Sequence, residues 1–174
     1  MELNYDDNTM SWDELFLRHV YLIGSKSRDK STKIGAVIVK NNRIISSGYN
    51  GLPQGVNYWP SARNERPEKY NYYEHAERNA IYSCAKEGIS TKDAYLFTNG
   101  IACSDCARAI IQSGVKEIAF HSDWQAKQHE EYLGRWTESL QRSLSMFAEA
   151  EVNVRPIEKA LGIKTLMNGK LIEV

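Results

Sequence analysis

The spacing of apolar residues predicts a helix near the start of the chain. Residues 11–29 alternate apolar and polar side chains with the period of an amphipathic helix. Ser11 and Glu14 have the spacing of a capping box, in which the serine accepts a backbone hydrogen bond and the glutamate reaches back to the first residue. The segment therefore predicts an amphipathic helix with a defined beginning.

The next apolar pattern is typical of β-strands. Residues 34–51 predict two strands, and the first is almost wholly apolar, as expected of a strand buried on both faces. Asn41 and Asn42 separate them and favour a tight turn, because asparagine tolerates positive φ better than most residues. Residues 51–72 are rich in glycine, proline and asparagine and predict a long ordered loop, and such loops are often functional. Within it, residues 63–69 mix basic and acidic side chains, which indicates a solvated segment.

The second half of the chain alternates helices and strands. The pattern predicts, in order, a helix over 75–87 closed by Gly88, a strand over 94–98, a helix over 103–114, a strand over 116–120, a helical segment from about 125 to 148, and an edge strand over 152–156 that Pro156 ends. It leaves 157–174 unassigned. Alternation of this kind is typical of an α/β layered domain.

Length and composition favour one globular domain. The chain has 174 residues, which is the size of one ordinary domain, and we expect 1–174 to form a single domain. Apolar residues make up 42% of the chain, inside the globular range. Basic and acidic residues number 22 each, so the formal net charge is zero. Because tight nucleic-acid binders usually carry a basic excess, we expect no nucleic-acid partner.

The chain shows no signal for membranes or export. No apolar run approaches the roughly 18 residues that a membrane span needs. The first ten residues are acidic and polar, whereas a secretory signal needs a basic start and an apolar stretch. We therefore expect a cytoplasmic protein with no membrane partner. Three cysteines are too few for a disulfide scaffold, which leaves them for metal binding, catalysis or packing.

Candidate metal ligands stand at the beginnings of two predicted helices. Cys103 and Cys106 are three residues apart, which places both sulfurs on one helix face. The positive end of a helix favours thiolate, the form that binds zinc. His75 precedes this pair by one helix and one strand. Glu77 cannot face the same centre from a regular helix, because positions two apart point roughly 200° apart. We therefore expect His75 at an irregular first turn.

The number of ligands separates a structural metal from a catalytic one. Structural zinc usually has four protein ligands, whereas catalytic zinc keeps three and leaves one position for water. Cys84 lies nine residues after His75 and faces away, so it reads as a buried hydrophobe. The other histidines lack ligand-like spacing. Three ligands with Glu77 beside them describe a catalytic zinc, whose water is acidified and whose proton the glutamate moves.

These residues also form a known motif. H-x-E followed by P-C-x-x-C is the signature of zinc deaminases, and the chain carries it at 75–77 and 102–106, with Ala102 where the usual proline stands. The G-Y-N-G-x-P pattern occupies 48–53. With these motifs and the order of its segments from 11 to about 125, the chain resembles the deoxycytidylate (dCMP) deaminases of the cytidine deaminase-like superfamily.

The resemblance implies a fold, an activity and partners. The implied fold is a three-layer α/β/α sandwich with a mixed sheet of about five strands. The implied reaction is hydrolysis of dCMP to dUMP and ammonia, which supplies dUMP for thymidylate synthesis. One Zn²⁺ per subunit is expected, because no cysteine pair is left for the second, structural zinc of some relatives. Many relatives are activated by dCTP and inhibited by dTTP, with Mg²⁺ accompanying such a triphosphate, and form homo-oligomers, here expected to be hexamers.

The resemblance also implies substrate contacts. In similar enzymes the asparagine of G-Y-N-G contacts the sugar, which here is Asn50, next to Gly51. The backbone after the zinc histidine, here Ala76, contacts the pyrimidine. An asparagine between a strand and a loop also has an ordinary interpretation as a turn former, and for Asn50 this alternative stays open.

Four further residues have both a functional and an ordinary interpretation. Ser31 and Lys33 precede the first strand and are candidates for a phosphate contact, although a lysine there is often simply solvated. Trp124 follows a strand and either covers the substrate or packs in the core. Asn79 either contacts an effector or a neighbouring subunit, or is an ordinary amide on a helix surface.

A nucleotide deaminase is thus the leading hypothesis, and two others stay open. A polynucleotide deaminase would flip a base out of RNA or DNA, but the zero net charge disfavours it because phosphate contacts dominate such binding. A zinc-stabilised binding module would need no general acid or base, and Glu77 beside a three-ligand zinc disfavours it.

Overall fold

Helices and strands alternate through the part of the chain that the computed structural model describes, residues 9–132 and 134–174. The α-helices there are α1 Trp12–Gly24, α2 Lys69–Tyr72, α3 Ala76–Lys86, α4 Ser104–Gln112, α5 Ser122–Glu131 and α6 Thr137–Glu149, and a 3-10 helix spans Ser61–Asn64. The strands are β1 Gly35–Lys40, β2 Arg43–Tyr49, β3 Tyr95–Thr98, β4 Glu117–His121, β5 Asn153–Ile157, β6 Lys164–Met167 and β7 Lys170–Glu173. Residues 1–8, which carry most of the polar start discussed above, lie outside the described residues.

A mixed sheet forms the middle layer. Its strand order, within the described ranges, is β2-β1-β3-β4-β5. β1 is antiparallel to both β2 and β3, whereas β3, β4 and β5 run parallel. Parallel neighbours need a crossover, and α4 and then α5 with α6 supply the two crossovers between them. The sheet therefore has the mixed, roughly five-stranded form that the resemblance implies.

Helices cover both faces of the sheet, which confirms the three-layer α/β/α sandwich. The interior strand β1 shows why, since all but its last residue are buried. Ala36 and Ile38 pack with residues of α3, α4 and α6, while Val37 and Val39 pack with α1, α5 and the β6–β7 hairpin. Successive side chains of a strand point to opposite faces, so a strand covered on both sides must be continuously apolar.

The predicted turn between β1 and β2 is confirmed. Asn41 and Asn42 both have positive φ, 51° and 57°, which is the backbone of the tight hairpin turns that match strand twist. The predicted cap of α1 is confirmed only in part. Ser11 Oγ accepts a hydrogen bond from the Glu14 amide at 3.2 Å, but the Glu14 carboxylate accepts from Arg18 instead of reaching back.

The second half departs from the predicted pattern in three places. The predicted helical segment over 125–148 is divided into two, because α5 and α6 are separate helices and Gly134 between them has a φ of 72°. Pro156 does not end β5, which runs to Ile157. Proline is tolerated there because β5 is the edge strand of the sheet. The unassigned tail forms the β6–β7 hairpin. Among the described helices, none has the length and apolar character needed to cross a membrane.

Candidate metal centre and active site

The beginnings of α3 and α4 meet near the carboxyl end of β3. His75 is the residue before α3 and has extended backbone, with φ −81° and ψ 153°. Cys103 has the same position before α4, with φ −67° and ψ 167°. Neither residue is inside its helix, so their side chains are free of the helical period. This is the irregular first turn that the spacing of His75 and Glu77 requires.

The three predicted ligands lie together. His75 Nδ1 is 3.4 Å from Cys103 Sγ and 3.5 Å from Cys106 Sγ, and the three donor atoms all lie within 4.8 Å of one another. Ordinary zinc bond lengths and a tetrahedral angle put nitrogen and sulfur ligands about 3.6 Å apart. The donor set and its spacing therefore fit Zn²⁺.

Cys84 does not belong to this group. Its side chain is buried in the core beside α3, α4 and the sheet, at 1% exposure, and burial raises the pKa of its thiol. A thiol in such surroundings stays protonated and behaves as a small hydrophobe. Its position agrees with the interpretation drawn from its spacing.

The electrostatics of the cysteine pair favour one thiolate even without a cation. The Cys106 thiol donates to Cys103, and this hydrogen bond, with a further one from His75, lowers the pKa of Cys103 to about 4. The same contact and burial raise the pKa of Cys106 well above its usual value. A divalent cation at the centre would stabilise both thiolates and displace the remaining proton, since thiolate is the form that binds.

Glu77 is buried beside the three donors without being one of them. It lies in the first turn of α3, is 6% exposed, and its Oε2 is 3.6 Å from Cys106 Sγ. Burial is the largest influence on its carboxyl group and raises its pKa. A carboxyl that holds a proton more readily than an exposed glutamate is suited to both accepting and donating one near neutral pH.

A pocket opens onto this centre from the surface. His75, Glu77 and Cys103 contribute to its inner end. The rest of the wall comes from β3, α5, α6 and the segments before β1 and α3, through Asp29, Thr32, Ile34, Asn50, Arg66, Lys69, Tyr70, Tyr73, Glu74, Ala76, Thr98, Gly100, Ile101, Trp124, Gln128, Tyr132, Trp136 and Leu140. A concave, mainly apolar pocket with a few polar groups at its end is the usual form of a small-molecule site.

The model of the cytidine and deoxycytidylate deaminase zinc-binding region matches residues 10–122, which include all three donors and Glu77. The chain belongs to the cytidine and deoxycytidylate deaminase family. The resemblance drawn from the motifs is thereby confirmed.

The chain is also similar to individual members of this deaminase family. The chain is 40% identical over 143 residues to an uncharacterized deaminase encoded 3′ of luxG in Aliivibrio fischeri, covering 82% of this chain and 91% of that one. It is 36% identical over 123 residues to the human deoxycytidylate deaminase, covering 67% of this chain and 68% of the human one. The fold is similar to that of the dCMP deaminase of cyanophage S-TIM5 solved with dCMP and dUMP, with a TM-score of 0.65, 24% identity, and coverage of 86% and 100%.

The predicted base and sugar contacts of this deaminase family member lie at the pocket or next to it. Ala76 lines it and is fully buried. Asn50 also lines it, and its Nδ2 donates to Asp29 Oδ2 at 3.2 Å and to the Thr32 carbonyl at 2.8 Å. Gly51 stands just outside the lining and pairs through its backbone with Glu74. Asn50 thus both links the segment around Asp29 and Thr32 to the end of β2 and lines the pocket.

The structure separates the remaining predicted residues. Trp124 lines the pocket at 3% exposure and also packs in the core, and its contact with a substrate stays a prediction. Lys33 is outside the pocket, because its ammonium donates to the Ser25 carbonyl at 2.9 Å. Ser31 is outside as well, although its Oγ accepts from Arg66, which is a pocket residue. Asn79 is a partly exposed helix residue whose Nδ2 donates to the Tyr49 carbonyl at 2.9 Å.

The sequence analysis missed two basic residues of the 63–69 segment, Arg66 and Lys69, that line the pocket. Lys69 is not solvated as predicted, since it is 6% exposed and its Nζ lies 2.8 Å from Asp29 Oδ2. Arg66 is exposed but lines the pocket. Lys69 carries no local signal in the sequence, because its partner Asp29 lies 40 residues away. Only the three-dimensional closure of the loop brings them together.

Proposed function

We propose that this protein hydrolyses dCMP to dUMP and ammonia with one zinc ion per subunit. The observation that carries the proposal is the combination of three donors, His75, Cys103 and Cys106, with the buried carboxyl of Glu77 at the end of a pocket. Three protein ligands would leave a position for water, and the buried carboxyl beside the donors would supply proton transfer.

The proposed chemistry assigns each residue one task. Zinc, when bound, would lower the pKa of a water molecule toward neutrality, so that its deprotonated form is available as a nucleophile. Glu77 accepts one proton from the attacking water and delivers it to the pyrimidine ring nitrogen. It then takes the second proton from the hydroxyl added to the ring and delivers it to the amino group, which leaves as ammonia. Its raised pKa suits both halves of this task, because the carboxylate accepts a proton more readily than an exposed glutamate and the carboxylic acid can still donate it. The walls of the pocket limit access of other water to the reacting base.

Substrate orientation is proposed to come from two walls. The backbone at Ala76 meets the pyrimidine, and Asn50 meets the sugar. Asn50 Nδ2 donates its two hydrogen bonds to Asp29 and to the Thr32 carbonyl. Its Oδ1 accepts one hydrogen bond from the Ile34 backbone amide at 2.9 Å. A carbonyl oxygen has two lone pairs, so Oδ1 retains one for a sugar hydroxyl. Gly51 keeps the backbone after Asn50 close to Glu74.

The cellular role is part of the same proposal. Its support is the relatives named as deoxycytidylate deaminases together with the motifs. We propose that the protein acts in the cytoplasm, supplies dUMP for thymidylate synthesis and assembles into a homo-oligomer, a hexamer by resemblance. It has no membrane or nucleic-acid partner in this proposal. Regulation by dCTP and dTTP, with Mg²⁺ accompanying the triphosphate, is also proposed, with Asn79 as a contact of the effector or neighbouring subunit.

The monophosphate is expected to be the preferred substrate. A charge-assisted hydrogen bond to phosphate contributes about 1.5–3 kcal/mol, so two such contacts should favour dCMP over deoxycytidine by on the order of a hundredfold or more in kcat/KM. Initial rates of ammonia release below saturation, with CMP as a third substrate, measure both preferences. Equal kcat/KM for dCMP and deoxycytidine would remove the phosphate contact, and equal values for CMP and dCMP would remove the deoxyribose preference.

Regulation can be tested in the same assay. With dCTP and Mg²⁺ at low dCMP, the rate is expected to rise and a sigmoidal dependence on dCMP is expected to become hyperbolic, because an effector that prefers the active state shifts the population toward it. dTTP should lower the rate. If dCTP acts only as a competitor of dCMP, this regulation is absent and Asn79 loses its proposed role.

A further inference from the structure

Two cations line the pocket, and only one has its charge neutralised. Lys69 is paired with Asp29 in a buried contact, with Nζ 3.1 Å and 2.8 Å from the two carboxylate oxygens. Arg66 contacts neutral acceptors instead, since it donates to Ser31 Oγ at 2.8 Å and to Asn168 Oδ1 at 3.1 Å. Within the described ranges, no carboxylate lies within ion-pair distance of Arg66. Its charge is therefore available to a ligand.

The Arg66 guanidinium is held in place before any ligand binds. Ser31 and Asn168 each accept one of its hydrogen bonds, and its carbon lies 5.8 Å from the centre of the Tyr132 ring. An arginine has five N–H donors, so two bonds leave others free. A planar guanidinium that is already oriented binds an anion at a lower entropic cost than a freely rotating one.

A second guanidinium lies near the same tyrosine ring. Arg135 donates to the Tyr70 hydroxyl at 3.3 Å, and its carbon is also 5.8 Å from the centre of the Tyr132 ring. No carboxylate of the described residues pairs with it either. Arg66, Arg135, Tyr70 and Trp136 line one depression at the surface. Arg66, Tyr70 and Trp136 also line the pocket of the metal centre, so the depression and the pocket share a wall.

We propose that Arg66 and Arg135 bind the 5′-phosphate of the nucleotide whose base reaches the metal centre. This inference rests on the proposed function and specifies which residues make the substrate a nucleotide rather than a nucleoside. Guanidinium groups match phosphate oxygens with paired, charge-assisted hydrogen bonds. The earlier candidate Lys33 is replaced, because its ammonium is bound to the Ser25 carbonyl. Ser31 keeps an indirect part, since it orients Arg66.

Phosphate recognition is then divided between two parts of the chain. Arg66 lies inside the family match of 10–122, whereas Arg135 and Asn168 lie beyond it. The β6–β7 hairpin reaches the site through its tip, where the Asn168 amide donates to Thr32 Oγ1 at 3.0 Å and the Gly169 amide donates to the Ser31 carbonyl at 2.8 Å. The part of the chain after residue 122 thus supplies the Arg135 guanidinium and, through Asn168, orients that of Arg66.

The test compares a nucleotide with its nucleoside. Arg66→Met and Arg135→Met are each expected to lower kcat/KM for dCMP by about 10- to 100-fold and to leave kcat/KM for deoxycytidine unchanged. Arg66→Lys keeps the positive charge but not the paired N–H donors of the guanidinium, so its kcat/KM for dCMP should lie between those of wild type and Arg66→Met. Arg43→Met is the matched control, because Arg43 is an exposed arginine at the beginning of β2 and outside the pocket lining. It should change neither value.

Binding of the product gives a readout without turnover. The affinity for dUMP relative to deoxyuridine, measured by calorimetry, is expected to fall by the same factor in Arg66→Met and in Arg135→Met. A dUMP-to-deoxyuridine ratio that stays at the wild-type value in both variants would overturn the inference, even if dCMP is deaminated. An equal loss for dUMP and deoxyuridine would overturn it as well, because the arginines would then only support the fold. Arginine-dependent binding of dUMP by a protein that deaminates nothing would refute the proposed function and leave the phosphate site standing.

Discussion

Replacing Glu77 with alanine is expected to abolish deamination while the protein keeps its zinc. Glu77 lies 3.6 Å from Cys106 Sγ but outside the group of three donor atoms, so its removal leaves the ligand set intact. A general acid or base typically contributes about 10²- to 10⁴-fold, and more where it serves several proton transfers. The measurement is kcat for dCMP together with zinc per chain by elemental analysis.

The control for this variant lies at the end of the same helix. Glu87→Ala removes an exposed carboxylate just after the end of α3 and should change neither kcat nor zinc content. Loss of zinc from Glu77→Ala would mean that the carboxylate is itself a ligand. The metal would then have four protein ligands, the number typical of a structural site.

Replacing Cys103 with alanine is expected to remove both zinc and activity. Each thiolate is one of three protein ligands, and its loss also removes a negative charge that faces the cation. The structure makes Cys103 the thiol that ionises first, with a pKa of about 4. Activity should fall to background. The melting temperature of the variant in the presence of zinc should fall toward that of the metal-free wild-type protein, because zinc that binds only the folded state stabilises that state.

Cys84→Ala is the matched control for the loss of a thiol. Its side chain is 1% exposed and lies in the core, so we expect a destabilisation of about 1 kcal/mol with zinc content and kcat unchanged. Loss of stoichiometric zinc from Cys84→Ala would restore a four-ligand structural site. Retention of full zinc by Cys103→Ala would contradict the proposed ligand set.

The parts of the fold that depend on local sequence were predictable. Asn41 and Asn42 indicate their hairpin turn because positive φ is a property of the residue type. The apolar run of β1 indicates burial on both faces because every side chain of it meets a covering layer. His75, Glu77, Cys103 and Cys106 could be grouped from the sequence because their spacing around two helix beginnings matches the zinc deaminase signature.

The parts that depend on distant contacts were not predictable. Lys69 reads as solvated, yet it is buried because Asp29 neutralises it across 40 residues. Pro156 reads as the end of a strand, yet β5 continues because it lies at the sheet edge, where one missing donor costs no ladder bond. Arg135 lines the surface depression from the connection between α5 and α6, and the sequence pattern did not indicate that these are separate helices.

The most direct test of the central claim is the stoichiometry of products from dCMP. Purified protein with one zinc per chain is incubated with dCMP, and dUMP and ammonia are quantified in the same samples. The account predicts equal amounts of the two products, formed with many turnovers per chain by the wild-type protein and at background by Glu77→Ala. A wild-type sample that carries one zinc per chain and releases neither product from dCMP would contradict it.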